Sequence, residues 1–124
     1  MVVFYQGAWC GTCRVQLRRF QAKHAAFRAA GAGVVAISRD RAEKSRRLAE
    51  NLQLAFPLLT DEALAATAGF GVTQPTGGLS LAAVFVVDRD GLITWAQVGE
   101  EIPEDQVLDA VRALAPAAPA EPTP

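Results

Sequence analysis

Apolar residues fall into short continuous runs with amphipathic stretches between them, a pattern typical of an α/β domain. The runs at residues 2–5 and 33–38 predict strands that are covered on both faces, as in a parallel sheet. From residue 14 to about residue 30, good helix formers place apolar positions on one face, and Gly31 and Gly33 end the segment. The members of that face are Leu17, Phe20, His24 and Phe27. A helix that joins two parallel strands makes this half a βαβ unit, which we expect to be right-handed.

A second helix is predicted from about Arg41 to Leu52. Asp40 stands three residues before Glu43, a pairing similar to a capping box, in which one side chain caps backbone N–H groups and the other reaches back. The helix carries a local basic patch that consists of Arg41, Lys44, Arg46 and Arg47. A solvated helix face is the default interpretation of this patch, and binding of an anionic partner is the alternative.

The segment after this helix is less regular. Residues 56–59 are interpreted as an extended apolar link, because Pro57 biases the residue before it away from the helical conformation. A short helix is predicted to begin at residues 60–62, which supply a capping side chain and two acids, and to end at Gly69. Residues 71–78 form the most loop-like stretch of the domain.

The last third of the chain predicts a hairpin and a helix. Residues 88–91, with the sequence Asp-Arg-Asp-Gly, separate apolar runs at 81–87 and 92–98, which is a strong β-hairpin signal. A closing helix begins near Pro103, and its apolar stripe consists of Val107, Leu108, Val111 and Leu114. The Pro- and Ala-rich residues 115–124 predict an extended tail. We therefore predict one α/β domain at residues 1–114, with a mixed sheet of about four strands flanked by helices.

Composition narrows the functional classes. A chain of 124 residues that is 51% hydrophobic can bury a core without cross-links. Its 12 basic and 13 acidic side chains leave a net charge of -1, which offers no electrostatic footprint for nucleic acid or an anionic membrane surface. Neither a signal-peptide pattern nor an apolar run near the roughly 18 residues of a membrane span is present. We expect a cytoplasmic protein with no nucleic-acid or membrane partner.

The first predicted strand begins almost at residue 1. Nothing in the sequence precedes this strand that could cover the adjacent edge of the sheet. We expect either that the gene encodes a shortened or internally started version of a larger domain, or that a partner chain covers the edge. The second arrangement would give a homodimer through the exposed sheet edge.

Cys10 and Cys13, the only cysteines in the sequence, lie where the first strand passes into the first helix. The first turn of a helix offers unpaired backbone N–H groups and the positive end of the helix dipole, and both favour a thiolate. Because the thiolate is the nucleophile in thiol chemistry, a lowered cysteine pKa makes such a residue reactive at neutral pH. The second cysteine follows one turn later, where it can resolve a mixed disulfide. The spacing indicates a redox dithiol.

Two other interpretations of the pair carry less weight. A structural disulfide that closes so short a loop would restrain little of the unfolded chain. A structural zinc site usually has four protein ligands, whereas two cysteines and His24 are available here, so no metal or other cofactor is expected. His24 lies about 16 Å beyond Cys13 along a helix, and we interpret it as a core-edge residue rather than a base for the thiol.

Neighbours of the dithiol are candidates for supporting roles. They are Trp9, Gly11, Thr12 and Arg14. Arg14, with Arg18 and Arg19, is interpreted first as part of a solvated helix face, although Arg14 is close enough in sequence to stabilise an adjacent thiolate.

The order of elements, with Trp-Cys-x-x-Cys at the first junction of strand and helix, resembles the thioredoxin fold. Within that superfamily the chain resembles the peroxiredoxin-like family, also described as redoxin or alkyl hydroperoxide reductase/thiol-specific antioxidant domains. Residues 4–17, which begin Phe-Tyr-Gln-Gly-Ala-Trp-Cys-Gly-Thr-Cys, carry the most specific part of the resemblance. The stretches Phe-Pro-Leu-Leu-Thr-Asp at 56–61 and Val-Phe-Val-Val-Asp-Arg-Asp-Gly at 84–91 add support.

The resemblance allows two alignments of the cysteines. In a thioredoxin-like alignment, Cys10 is the exposed attacking thiol and Cys13 the resolving thiol. In a peroxiredoxin-like alignment, the family pattern Thr-x-x-Cys-x-x-Glu/Gln covers residues 10–16, so Cys13 would react with peroxide and Cys10 would replace the threonine. We favour Cys10 as the nucleophile, because the N-terminal thiol of such a pair is expected to be less buried and nearer the unpaired N–H groups. Ala82 holds the place of the thioredoxins' cis-proline and of the peroxiredoxins' arginine, which supports the charge that develops on the peroxide.

Three functions follow as hypotheses. In the first, the chain is a peroxiredoxin-like oxidoreductase that reduces peroxides through a Cys10–Cys13 disulfide and is itself reduced by a thioredoxin- or glutathione-type thiol. In the second, it is a thioredoxin-like reductase of protein disulfides. In the third, it is a redox-sensing or scaffolding module whose open strand edge and Pro-rich tail serve a partner.

Overall fold

The first strand, β1, lies at the centre of a five-stranded mixed sheet in the computed structural model, which describes residues 1–75, 79–99 and 101–114. The strands are β1 (Val2–Phe4), β2 (Val35–Ser38), β3 (Leu58–Thr60), β4 (Ala83–Val87) and β5 (Ile93–Val98). The helices of the described residues are α1 (Gly11–Ala22), α2 (His24–Ala29), α3 (Ala42–Leu52), α4 (Ala65–Gly69) and α5 (Glu104–Arg112). None of these helices is long and apolar enough to cross a bilayer.

The strands are arranged in the order β3-β2-β1-β4-β5. β1 pairs in parallel with β2, with Val3 opposite Ala36, and antiparallel with β4, with Val3 opposite Val84. β2 and β3 are parallel, whereas β4 and β5 form the predicted antiparallel hairpin. The expected uncovered edge beside the first strand is therefore wrong, because β1 has a hydrogen-bonded neighbour on both sides. The two edges of this sheet are β3 and β5.

Both faces of β1 are covered, which explains its uninterrupted apolar sequence. Val3 and Tyr5 point into the larger core cluster, together with residues of α1, α2, α3 and α5. Phe4 points to the opposite face, where its ring centroid lies 5.1 Å from that of Phe70 and 5.8 Å from that of Phe85. The site at the end of β1 is thus anchored in core on both sides of the sheet.

The sheet has one strand more than the four expected. Residues 56–59 were interpreted as a link, but Leu58–Thr60 form an edge strand that pairs with β2, with Leu58 opposite Ala36. Pro57 lies just outside this strand, so its missing N–H removes no hydrogen bond between β2 and β3. Its carbonyl accepts a hydrogen bond from the Ala36 N–H at 3.1 Å. The proline thus marks the start of a strand and does not prevent one.

Three helix boundaries also differ from the predictions. The helix expected at residues 14–30 begins earlier, at Gly11, and is divided at Lys23 into α1 and α2. Across this break the rings of Phe20 and Phe27 pack edge to face, with their centroids 6.2 Å apart. α4 begins at Ala65 and not at residues 60–62. The N-cap of α3 is Arg41, and no side chain caps it, so the predicted capping role of Asp40 is wrong.

The closing helix agrees with the prediction, because Val107, Leu108 and Val111 of α5 are buried against the sheet. The predicted tail at 115–124 and residues 76–78 of the predicted loop lie outside the described residues.

Candidate active site

Cys10 is the N-cap of α1, at the point where the chain leaves β1 and turns into the helix. Its backbone N–H donates to the Gly7 carbonyl at 3.1 Å, which closes the turn before the helix. Its Sγ accepts a hydrogen bond from the Cys13 backbone N–H at 3.3 Å, in the manner of a capping side chain. The sulfur therefore occupies the place where the helix offers unpaired N–H groups and its positive dipole end.

A hydroxyl group adds to this environment. The Oγ1 of Thr12 lies 3.3 Å from the Sγ of Cys10. A hydroxyl can donate to a thiolate, so the Thr12 side chain and the Cys13 amide together favour the ionised form of Cys10.

Cys13 has a different environment. Its Sγ accepts a long hydrogen bond, 3.5 Å, from the backbone N–H of Gln6. Burial in the core, followed by the hydrogen bond with the Cys10 side chain, raises the pKa of the Cys13 thiol to about 12. At neutral pH Cys13 is therefore a thiol that donates its proton toward the Cys10 sulfur.

Exposure does not separate the two cysteines. Cys10 is 6% exposed and Cys13 is 5% exposed, so Cys10 is the less buried residue by only one percentage point. Both side chains belong to the larger core cluster, because the turn before α1 folds Cys10 down against it. The two sulfurs differ in hydrogen bonding and not in access.

Trp9, the residue directly before Cys10, is 62% exposed. Its indole folds back over Gly7, so closely that a Cβ added at Gly7 would lie 2.6 Å from the indole Nε1. Gly7 is therefore needed for close approach of this ring. The next amide, that of Ala8, donates to the Oδ2 of Asp40 at 2.7 Å. Asp40 thus ties the loop after β2 to the loop that carries the dithiol.

The other predicted supporting residues contribute less directly. Gly11 is exposed at the first position of α1, and a Cβ added there would meet no atom within 4 Å. Arg14 contacts the site through its backbone N–H, which donates to the Cys10 carbonyl at 3.1 Å. His24 lies on α2 against Phe56, with ring centroids 5.8 Å apart, at the core edge where it was predicted. Within the described residues, no group of three or more His, Cys, Asp or Glu side chains could hold a metal ion.

Gln16, one turn beyond Cys13, joins the dithiol helix to the segment before α5. Its Nε2 donates to the Ile102 carbonyl at 2.9 Å, and its Oε1 accepts from the Ile102 N–H at 2.8 Å. Gln16 and Cys13 also line a cavity of about 10 Å³, which is about the size of one water, and Ala82 forms part of its wall. Ala82, at the place where the resemblance led us to look for proline or arginine, thus lines the same cavity as Cys13.

Sequence reasoning missed the parts of Gln6, Asp40 and Gln16 in this site. Gln16 was available as the last residue of the peroxiredoxin-like pattern at 10–16, but nothing indicated its partner 86 residues away. Asp40 was assigned to the helix that follows it, and the hydrogen bond to Ala8 spans 32 residues. Gln6 donates through its backbone N–H, and because nearly every residue type has this group, the identity of residue 6 does not indicate the contact.

Residues 1–96 match the profile of the AhpC/TSA family. The chain belongs to this family. Peroxiredoxin Q of Sedum lineare, a chloroplast protein, is 29% identical over 115 residues, which cover 92% of this chain and 62% of that protein. The chain therefore spans less than two thirds of the length of the curated relatives it matches.

Solved structures of similar proteins agree with this assignment. Peroxidoxin BcpB from Mycobacterium tuberculosis is 28% identical with a TM-score of 0.82, and the match covers 91% of this chain and 77% of that one. AhpC of Enterococcus faecalis is 19% identical with a TM-score of 0.86, over 99% and 79% of the two chains, and supports the fold. The peroxiredoxin-like resemblance and the thioredoxin-like fold are thereby confirmed for this AhpC/TSA-family chain.

Proposed function

We propose that this AhpC/TSA-family chain reduces peroxides, with Cys10 as the attacking thiol and Cys13 as the resolving thiol. The main support is the pair of hydrogen bonds that join the two residues, from the Cys13 N–H to the Cys10 Sγ and between the two side chains. Together they favour a thiolate at Cys10 and keep a protonated thiol next to it.

The reaction proceeds in two steps. The Cys10 thiolate attacks one peroxide oxygen, the O–O bond breaks, and the other oxygen leaves as an alcohol or water after taking up a proton. Cys10 is then a sulfenic acid. The Cys13 sulfur attacks the Cys10 sulfur and loses its proton, and the sulfenic hydroxyl leaves as water. The product is a Cys10–Cys13 disulfide, which two equivalents of an external thiol return to the dithiol.

Peroxide consumption by single-cysteine variants tests this assignment. We expect Cys10→Ser to lose peroxide reduction, because its hydroxyl is not a nucleophile at neutral pH. Cys13→Ser should still react once and should accumulate a sulfenic acid at Cys10 that a dimedone-type reagent traps. Mass spectrometry of the labelled protein identifies the site. A wild-type rate no greater than that of a free thiol would exclude the peroxidase, and a label on Cys13 in Cys10→Ser would reverse the two roles.

A second candidate is a reductase of protein disulfides, as in the thioredoxin-like alternative. It is favoured by Ala82, which presents no charged donor at the cavity beside Cys13, and by the exposed indole of Trp9 next to Cys10. Comparing insulin disulfide reduction with peroxide consumption separates the two. Two results together would favour the reductase. The protein would reduce insulin and Cys10→Ser would not, and the protein would reduce peroxide no faster than free cysteine does.

A further inference from the structure

A wide groove opens beside the dithiol, between the loop that follows β1 and the N-terminal half of α3. It encloses about 520 Å³. We call it the basic groove because four of its lining side chains are cations. These are Arg39, Arg41, Lys44 and Arg47. Two carboxylates, Asp40 and Glu43, also line it, so cations outnumber acids.

The positive charge of the groove is only partly neutralised. Arg47 pairs with Glu43 at 2.8 Å, and Arg41 pairs with Glu62 at 3.7 Å, both at exposed positions where such pairs are weak. Lys44 forms no ion pair within 4 Å among the described residues. Since the whole chain has a net charge of -1, this surplus of cations is local, and it attracts an anion to this part of the surface.

The groove also borders the segment that carries the dithiol, although neither cysteine is among the residues that line it. Gln6, whose backbone N–H donates to the Cys13 sulfur, is part of its wall. So is Trp9, which directly precedes Cys10 and offers an apolar face for the uncharged part of a ligand. A molecule bound to the cations of α3 therefore lies beside Gln6 and Trp9, which contact Cys13 and precede Cys10, respectively.

We propose that the basic groove binds a small anionic thiol, of the carboxylate-bearing peptide type, and presents it to the Cys10–Cys13 disulfide as the reductant. This inference rests on the proposed function, because it names the thiol that completes the cycle. The size of the groove favours a small molecule over a protein, since concave sites of roughly 300–1,000 Å³ are typical of small ligands.

The reduction balances with two molecules of the thiol. The thiolate of the first attacks the Cys10 sulfur, the Cys10–Cys13 bond breaks, and Cys13 leaves and takes up a proton. This forms a mixed disulfide on Cys10. The thiolate of the second molecule attacks the sulfur of the first, and Cys10 leaves as a thiolate. Two thiols are oxidised to one disulfide, and two cysteines are reduced.

The test measures reduction of a protein that has first been oxidised with diamide, so that it does not depend on reaction with peroxide. Three thiols of similar size and different charge serve as probes: 2-mercaptoethanesulfonate, 2-mercaptoethanol and cysteamine. Rate constants are calculated per thiolate. We expect the sulfonate to react roughly fivefold or more faster than the amine, and the difference to shrink in high salt.

Matched variants of α3 locate the effect. Lys44→Gln should slow the sulfonate roughly threefold and leave the uncharged thiol unchanged. Arg46→Gln is the control, because Arg46 is an exposed cation on the same helix that does not line the groove. The proposal is overturned if the three thiols react alike, or if the two variants slow the sulfonate equally.

A binding measurement separates failure of this proposal from failure of the proposed function. S-methylglutathione carries the carboxylates but cannot react, and its binding is measured by calorimetry. We expect Lys44→Gln to weaken binding and Arg46→Gln to leave it unchanged. If peroxide is reduced but S-methylglutathione does not bind, the groove proposal is wrong and the peroxidase stands. If it binds as expected but peroxide is not reduced, the peroxidase is wrong and the groove remains an anion site.

Discussion

At the scale of single residues, the two cysteines are distinguished by what donates to each sulfur. The Cys10 sulfur accepts the Cys13 amide at 3.3 Å at the helix N-terminus, whereas the Cys13 sulfur accepts one longer bond, 3.5 Å, from Gln6. Burial acts on both, since 6% and 5% of these residues are exposed. Burial raises the pKa of the Cys13 thiol, and in the proposed mechanism the difference in hydrogen bonding makes Cys10 the nucleophile and Cys13 the proton donor.

Alkylation of single-cysteine variants measures this difference. In Cys10→Ala, Cys13 loses its hydrogen bond to the other thiol but stays buried, so its pKa should remain above the ordinary value of 9.0. Only the thiolate reacts with iodoacetamide, so the rate for Cys13 should rise about tenfold per pH unit between pH 7 and 9 without levelling off. A plateau in this range would show that burial does not hold Cys13 protonated. Cys13→Ala, treated in the same way, provides the comparison for Cys10.

The position of the two cysteines at the start of the first helix could be predicted from the sequence, but the contacts around them could not. Two cysteines with this spacing at the junction of a strand and a helix identify a dithiol, because helix geometry alone places them one turn apart. The bonds from Ala8 to Asp40 and from Gln16 to Ile102 join residues that only the complete fold brings together. The nearly equal burial of the two cysteines could not be predicted for the same reason, since burial depends on what packs over the turn.

At the scale of elements, α1 is held at its N-terminal end by bonds to two other parts of the chain. Asp40 holds the loop before the helix from the β2 side, and Gln16 holds the helix to the segment before α5. These contacts fix the direction in which the N-terminus of α1 points, and the direction determines which amide meets the Cys10 sulfur.

Replacing Gln16 by Leu tests the tie to the closing segment. The change keeps the approximate volume but leaves the N–H and C=O of Ile102, which is 1% exposed, without their partners. We expect the free energy of unfolding in urea to fall by roughly 2–4 kcal/mol. Gln21→Leu is the control on the same helix, because Gln21 accepts one exposed hydrogen bond from Ala55. A loss below about 1 kcal/mol in both variants would mean that the tie is unimportant.

Asp61 ties β3 to α4 and gives the fold a dependence on pH. Burial alone would raise the pKa of Asp61, but hydrogen bonds from Thr67 and Ala66 outweigh it and hold the pKa below the ordinary 3.8. A carboxyl group whose pKa is lower in the folded state stabilises the fold above its unfolded pKa and loses this effect as the pH falls.

Asp61→Asn should therefore destabilise the protein at pH 7 by about 1 kcal/mol, measured by urea unfolding. The difference from wild type should shrink as the pH falls below about 3.8, because the carboxyl becomes protonated first in the unfolded chain and, at lower pH, in the fold. Asp109→Asn, on the exposed surface of α5, should change little at either pH. A difference that is constant between pH 7 and pH 3 would contradict a role for the charge.

Elements with a strong local pattern were predicted correctly, whereas β3 was not. The β4–β5 hairpin is specified by its Asp-Gly turn, in which Gly91 has a φ of 84°. β3 has three residues and is a strand only because β2 provides a partner for it. The break at Lys23 could likewise not be predicted, because no proline or glycine lies there. It follows from the packing of Phe27 against Phe20.

At the scale of the whole molecule, the oxidised and reduced forms should share one fold. The two thiol side chains already form a hydrogen bond, and Cys10 lies outside the first helical residue. We expect the disulfide to close without unwinding α1, so far-ultraviolet circular dichroism should not change on oxidation with diamide. If oxidation lowers the helical signal and reduction with dithiothreitol restores it, the cycle includes local unfolding of α1. Cys13→Ser, which cannot form the bond, is the control.

Homodimerisation through a sheet edge stays a prediction, now placed on β3 and β5. Exposed apolar side chains of the β5 edge, Ile93 and Val98, are 51% and 54% exposed. Sedimentation at several protein concentrations, with Val98→Lys as the variant, would detect such an association.

The place of β1 at the centre of the sheet also bears on how the chain folds. β1 and the dithiol turn are made before two of their partners, because the antiparallel neighbour of β1 is β4, and the partner of Gln16 is 86 residues downstream. During synthesis, the two thiols therefore emerge from the ribosome well before the segments that position them. Such pairings between distant parts of a sequence slow folding, because a long loop must close before they form. For that interval the cysteines lack the burial and the hydrogen bonds that the folded structure gives them.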